Sequence, residues 1–172
     1  MKPIYCLIVS LFALVFVSCK KETMSHFNDY TNSYHTWTVF KDSSHNSYQY
    51  KVTNGSWTGY SAETIITVRA GKVMERSFVA KQNANNGTGA FTVLDQWTEA
   101  ENQLSTHEMG VAPVTLDKIY ETASQDWLKK RDDAKTYFET NNRGMISLCG
   151  YVPDGCQDDC FQGITISFIE AI

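Results

Sequence analysis

Between Cys149 and Gly163 the chain reads CGYVPDGCQDDCFQG, which gathers three cysteines and three aspartates into one short stretch. Thiolates bind soft metals or join as disulfides, and carboxylates hold hard cations such as calcium. Which chemistry applies depends on the compartment, because cysteines pair in oxidising surroundings and stay reduced in the cytosol. For an exported chain a disulfide is expected. Cys149 ends one predicted strand and Cys160 opens the next, so Cys149–Cys160 is the expected bridge, closing a hairpin mouth and contributing about 3 kcal/mol. Cys149–Cys156 and Cys156–Cys160 stay open as alternatives, since spacing alone does not fix connectivity. Calcium would need Asp154, Asp158 and Asp159 to converge with loop carbonyls, yet DGCQDD departs from the D-x-[DN]-x-[DN]-G order of an EF-hand. The expectation is a solvated, stapled turn with no cofactor; calcium is the alternative. Zinc on three thiolates would require reduced cysteines and a fourth ligand.

The histidines are His26, His35, His45 and His107, and they form no H-E-x-x-H motif or helical pair. His35 and His45 lie in polar sequence and are expected in solvent. His107 and Glu108 fall in a polar connector, with no G-x-S-x-G or phosphate-cradling glycine loop to give them a partner. Glu99, Glu101 and Glu108 would serve acid/base work only if two converged, and their polar surroundings predict a solvated face. No enzyme is expected. The aromatics Trp37, Tyr48, Tyr50, Trp57 and Tyr60 are dense enough for an exposed patch that takes a glycan or a protein. The competing reading, which the preference of aromatics for burial favours, is that they fill the core.

The compartment is written at the N-terminus, MKPIYCLIVSLFALVFVSCKKE. Lys2 precedes an apolar run from Ile4 to Val17, about 14 residues where a spanning helix needs about 20. That is the build of an export leader. Its end, Phe16-Val17-Ser18-Cys19, resembles the bacterial lipobox, with Phe16 in place of the preferred leucine. The resemblance implies that the leader (residues 1–18) is removed, that Cys19 becomes the acylated first residue, and that residues 19–26 tether a domain spanning 27–172. Lys20 rather than aspartate follows the cysteine, which by the same resemblance implies the outer membrane. Two or more acyl chains suffice for stable anchoring.

The net charge of -4 becomes -5 once the leader goes, because Lys2 is the only charged residue in it. The remaining cations are scattered, so a nucleic-acid partner is not expected. The expected partners are the membrane, through the anchor at Cys19, and an envelope protein or glycan. A mature chain of this length suits one domain.

Along the body, Phe27, Tyr30, Tyr34, Trp37 and Phe40 recur at helical spacing, predicting a helix over Asn28–Lys41. SYQYKVTNGSW alternates as a strand with a turn at Asn54-Gly55, and ETIITVRAGKVMERSFVA reads as a hairpin about Ala70-Gly71. Ile66 and Val68 fall on one face, Ile65, Thr67 and Arg69 on the other. Residues 81–89 are an Asn-rich loop, AFTVLDQW a strand, and EAENQLSTHEMG a polar connector with room for a short helix. Thr115 is a helix N-cap, and Lys129, Lys130 and Arg131 are expected in that helix's last turn. KTYFETNNRGMISLCGYV is strand, turn and strand; GITISFIEAI is a terminal strand. The fold class is α+β, an antiparallel sheet of about five to seven strands with two helices on one face.

The order ITVRAGKV, TLDKIYETASQDWL, YFETNNRGMISL and GITISF resembles a group of small exported bacterial lipoproteins sharing one domain of uncharacterised activity. The resemblance spans Ser47–Ile172 and implies architecture, without a catalytic residue. The function expected is a binding or interaction module in the cell envelope. A calcium-stabilised structural protein and a hydrolase with an unrecognised site are the alternatives.

Overall fold

A computed structural model describes residues 23–84 and 89–172. The expected leader and Cys19 lie outside the described residues. The elements run α1 (Phe27–Ser43), β1 (Tyr48–Gly55), β2 (Tyr60–Arg69), β3 (Lys72–Asn83), β4 (Phe91–Ala100), α2 (Leu116–Thr122), β5 (Ala134–Glu139), β6 (Leu148–Pro153) and β7 (Gln162–Ala171). The seven strands form one sheet in the order β4-β3-β2-β1-β7-β6-β5, every neighbouring pair antiparallel. The α+β reading holds. The first four strands meander outward to one edge; α2 carries the chain across to the other edge, and β5 to β7 return until the last strand lies beside the first.

Local sequence explains the pieces. Tyr48, Tyr50 and Val52 alternate inward along β1, and Ile66 and Val68 join them from β2. The β2–β3 turn places Ala70 and Gly71 at φ 48° and 80°, the two left-handed residues that a tight hairpin with right-handed twist requires. A Cβ on Gly71 would sit 2.4 Å from Asn46 Nδ2, so the turn is also packed against the end of α1. Both helices lie on the inward face. Trp37 is the buried anchor of α1, its Nε1 donating to Asp117 Oδ1 at 3.0 Å, while Lys41 Nζ donates to the same carboxylate at 2.9 Å. Ser33, also buried, bonds the Tyr120 hydroxyl at 2.8 Å.

Two expectations are corrected here. Thr115 does cap α2, accepting from Lys118 N, but the α-helix lasts only about two turns and is followed by a π turn over Ala123–Trp127. Lys129, Lys130 and Arg131 therefore lie beyond the helix. Leu128, whose N–H closes that turn onto Ala123 O at 2.9 Å, is buried in the core. The fold also begins earlier than Phe27. Met24 bridges to Lys129, Ser25 N donates to Leu128 O at 2.8 Å, and Lys130 N donates to Thr23 O at 2.9 Å. Residues 23–26 are domain, not tether.

Candidate functional site

The polar connector holds the first surprise. On β3 the alternation that points Phe78 and Ala80 inward also points Arg76 inward, and the hairpin register sets Glu99 of β4 opposite it. Arg76 is 3% exposed and Glu99 0%, so Glu99 is a buried carboxylate and not part of a solvated face. Burying one charge alone would be prohibitive; the fold surrounds this one with donors. Arg76 Nε and Nη2 each reach a different Glu99 oxygen at 2.8 Å. The backbone N–H groups of Ser105 and His107 donate at 2.9 and 2.7 Å, the Thr106 hydroxyl at 3.1 Å, and His107 Nδ1 lies 3.0 Å from Oε1.

The Arg76 guanidinium beside Glu99, aided by those N–H groups, holds its carboxyl far below the usual carboxylate range, against the opposing pull of burial. Arg76 spends its remaining donors on His107 O and Val111 O, at 2.8 and 3.1 Å. The His107 ring stacks on Trp97 with centroids 4.3 Å apart and planes 8° from parallel, and Arg76 lies 4.7 Å from the same indole ring. Gly110, at φ 84°, lets the loop press on the sheet where a Cβ would stand 3.1 Å from Phe78 and Thr64. A carboxylate holding an imidazole by Nδ1 is a familiar acid/base arrangement. Here both carboxylate oxygens are saturated, and the hydroxyl nearest His107, that of Thr106, lies on the Nδ1 side at 3.4 Å, bonded to Glu99. The arrangement is a clamp that fastens residues 104–111 over β2, β3 and β4. Glu101 and Glu108 do not join it: Glu101 pairs with Lys72, and Glu108 is exposed.

The cysteine stretch also departs from expectation. The bridge joins Cys156 to Cys160, with Cα atoms 6.3 Å apart, and Cys149 is a free, buried thiol. Cys149 sits on β6 between Phe138 of β5 and Ile164 of β7, all facing the helices, so it points away from the loop that Cys160 occupies. Burial pushes its thiol up to about 12. Asp154, Asp158 and Asp159 are exposed on the loop, and among the described residues no three His, Cys, Asp or Glu side chains gather as a metal would need.

The aromatic group divides. Trp37, Tyr48 and Tyr50 are core, whereas Trp57, in the β1–β2 turn, is 86% exposed and Tyr60 is half-buried. Trp57 does not stand alone. Gln82 Nε2 donates to Thr58 O and Asn83 N to Gly59 O, both at 2.9 Å, which ties that turn to the end of β3. Next to it, Asn83 pairs with Phe91 and Lys81 with Val93, and Leu94 is the extra residue of the bulge there. Phe91, Val93 and Leu94 are all exposed, with Lys81 Nζ 5.0 Å from the Phe91 ring. One end of the sheet thus presents four large apolar side chains to solvent. Their sequence signal was β4 itself: Phe91, Val93 and Leu94 put three large apolar residues among the first four of a strand at the sheet's edge.

Compared with known proteins, the chain matches no family model, no curated protein and no solved structure.

Proposed function

We propose that the chain is a lipid-anchored interaction module of the bacterial envelope, which contacts an envelope protein or glycan through the apolar end built from Trp57, Phe91, Val93 and Leu94. The observation that carries the reading is the 86% exposure of Trp57 beside three other exposed apolar side chains. Grouped apolar surface of this kind is costly to leave in water and marks contact sites. Aromatic anchors dominate binding energy at such sites. The saturated Glu99 clamp supports a structural role for the buried Arg76–Glu99 pair. The anchor rests on the Cys19 leader pattern.

Photo-crosslinking tests the contact surface. A photoreactive residue in place of Trp57 should give a discrete adduct in intact cells, weakened by Phe91→Ala, while the same residue at Glu75 gives none. Equal, diffuse labelling from both positions would refute it.

A further inference from the structure

The early start of the fold limits where the domain can sit. Thr23 is already held by Lys130 N, so only the residues between Cys19 and Thr23 act as a tether. Four residue steps span at most about 14 Å when fully extended. A domain of about 150 residues has a radius of gyration of about 15 Å, so its far side lies well beyond that reach. With Cys19 acylated, the surface around Thr23 is the part that must meet the lipid.

That surface is suited to it. An open hollow of about 880 Å³ has Met24, Phe27 and Tyr30 along its apolar wall and Lys129 and Lys130 on its rim. Both lysines are exposed, placed there by the exit from the π turn. The tether adds Lys20 and Lys21. The opposing charges nearby are Glu22 in the tether, Asp132 at the hollow and its exposed neighbour Asp133, whereas Asp126 is paired with Arg131 at 2.6 Å and Asp29 lies 3.9 Å from His26. Lysines close to an anionic leaflet are attracted to it within a screening length.

We infer that the pole formed by Thr23, Met24, Lys129 and Lys130 lies directly on anionic lipid headgroups, fixing the domain's orientation so that the anchor is one of two contacts with the bilayer. The inference rests on the anchored reading of Cys19. It adds that the domain itself touches the lipid and does not hang from a free linker.

The test uses the full acylated chain in vesicles of neutral or partly anionic lipid. Nitroxide labels are placed at Gln125→Cys, exposed beside the hollow, and at Glu75→Cys, on a strand five positions across the sheet from β5, roughly 24 Å away. Buried Cys149 and bonded Cys156 and Cys160 stay unlabelled. A relaxing metal chelate attached to lipid headgroups should broaden the Gln125→Cys signal at least several-fold more than the Glu75→Cys signal. In anionic vesicles Lys129→Glu with Lys130→Glu should reduce that difference toward its value in neutral vesicles, where the short tether acts alone, with melting temperature unchanged. If the protein floats with vesicles and carries its acyl mass, yet both labels relax equally, the inference is overturned and the anchor stands. If the chain neither floats nor carries acyl mass, the anchored reading fails and the inference with it.

Discussion

Replacing Glu99 with Gln keeps the shape of the clamp and removes its charge, which makes it the sharpest probe of the buried Arg76–Glu99 ion pair. Arg76, 3% exposed, would be left with two carbonyls and an amide in place of a carboxylate. Breaking a buried pair by removing one partner costs about 3–5 kcal/mol. For a domain of this size each kcal/mol moves the melting temperature by about 2–4 °C, so Glu99→Gln should melt roughly 10 °C lower. Removing both charges, Arg76→Met with Glu99→Leu, should recover much of that loss, because the cost lies in the orphaned charge. The pH dependence has a definite sign. Glu99 is depressed in the folded state, so its contribution is complete above the unfolded carboxylate value of about 4.3 and is lost as pH falls below that toward the folded value. Differential scanning calorimetry from pH 7 down to pH 2.5 should show the wild-type advantage over Glu99→Gln shrinking below about pH 4. A loss under about 1 kcal/mol at pH 7, or a difference that does not change with acid, would refute the clamp.

Cys149 should resist alkylation at pH 8 in the folded protein and react only on unfolding, since it is buried with its thiol pushed up to about 12; modification at the rate of a free thiol peptide would contradict its placement. Reducing Cys156–Cys160 should lower stability by only about 2 kcal/mol, as closing so short a loop restricts the unfolded chain little, and non-reducing peptide mapping should find that pair and not Cys149–Cys160. The melting temperature should be the same in calcium and in chelator, because the three loop aspartates are exposed and do not converge; a rise of several degrees with calcium would restore the metal site.

What the sequence made legible was local. The inward alternation of Tyr48, Tyr50 and Val52, the Ala70-Gly71 turn and the Thr115 cap each depend on a few adjacent residues, and each is in the structure. What it hid was set by distant pairing. Nothing near Cys149 says that Phe138 and Ile164 will enclose it, so the shorter Cys156–Cys160 bridge went unfavoured. Glu99 looked solvated because its neighbours in sequence are polar, although a signal existed: continuing the inward alternation from Ala80 and Phe78 reaches Arg76, and a buried arginine demands a carboxylate across the hairpin. The anchoring of residues 23–26 depends on a two-residue bridge to Lys129, too short to leave a periodic pattern. The proposed lipid contact of the domain rests on the same bridge.

The proposed anchor depends on Cys19. Intact mass measurement of the membrane-extracted protein should give the chain from Cys19 to Ile172 plus acyl and glyceryl mass on its first residue. A precursor that keeps residues 1–18, or a soluble product with unmodified Cys19, would contradict it.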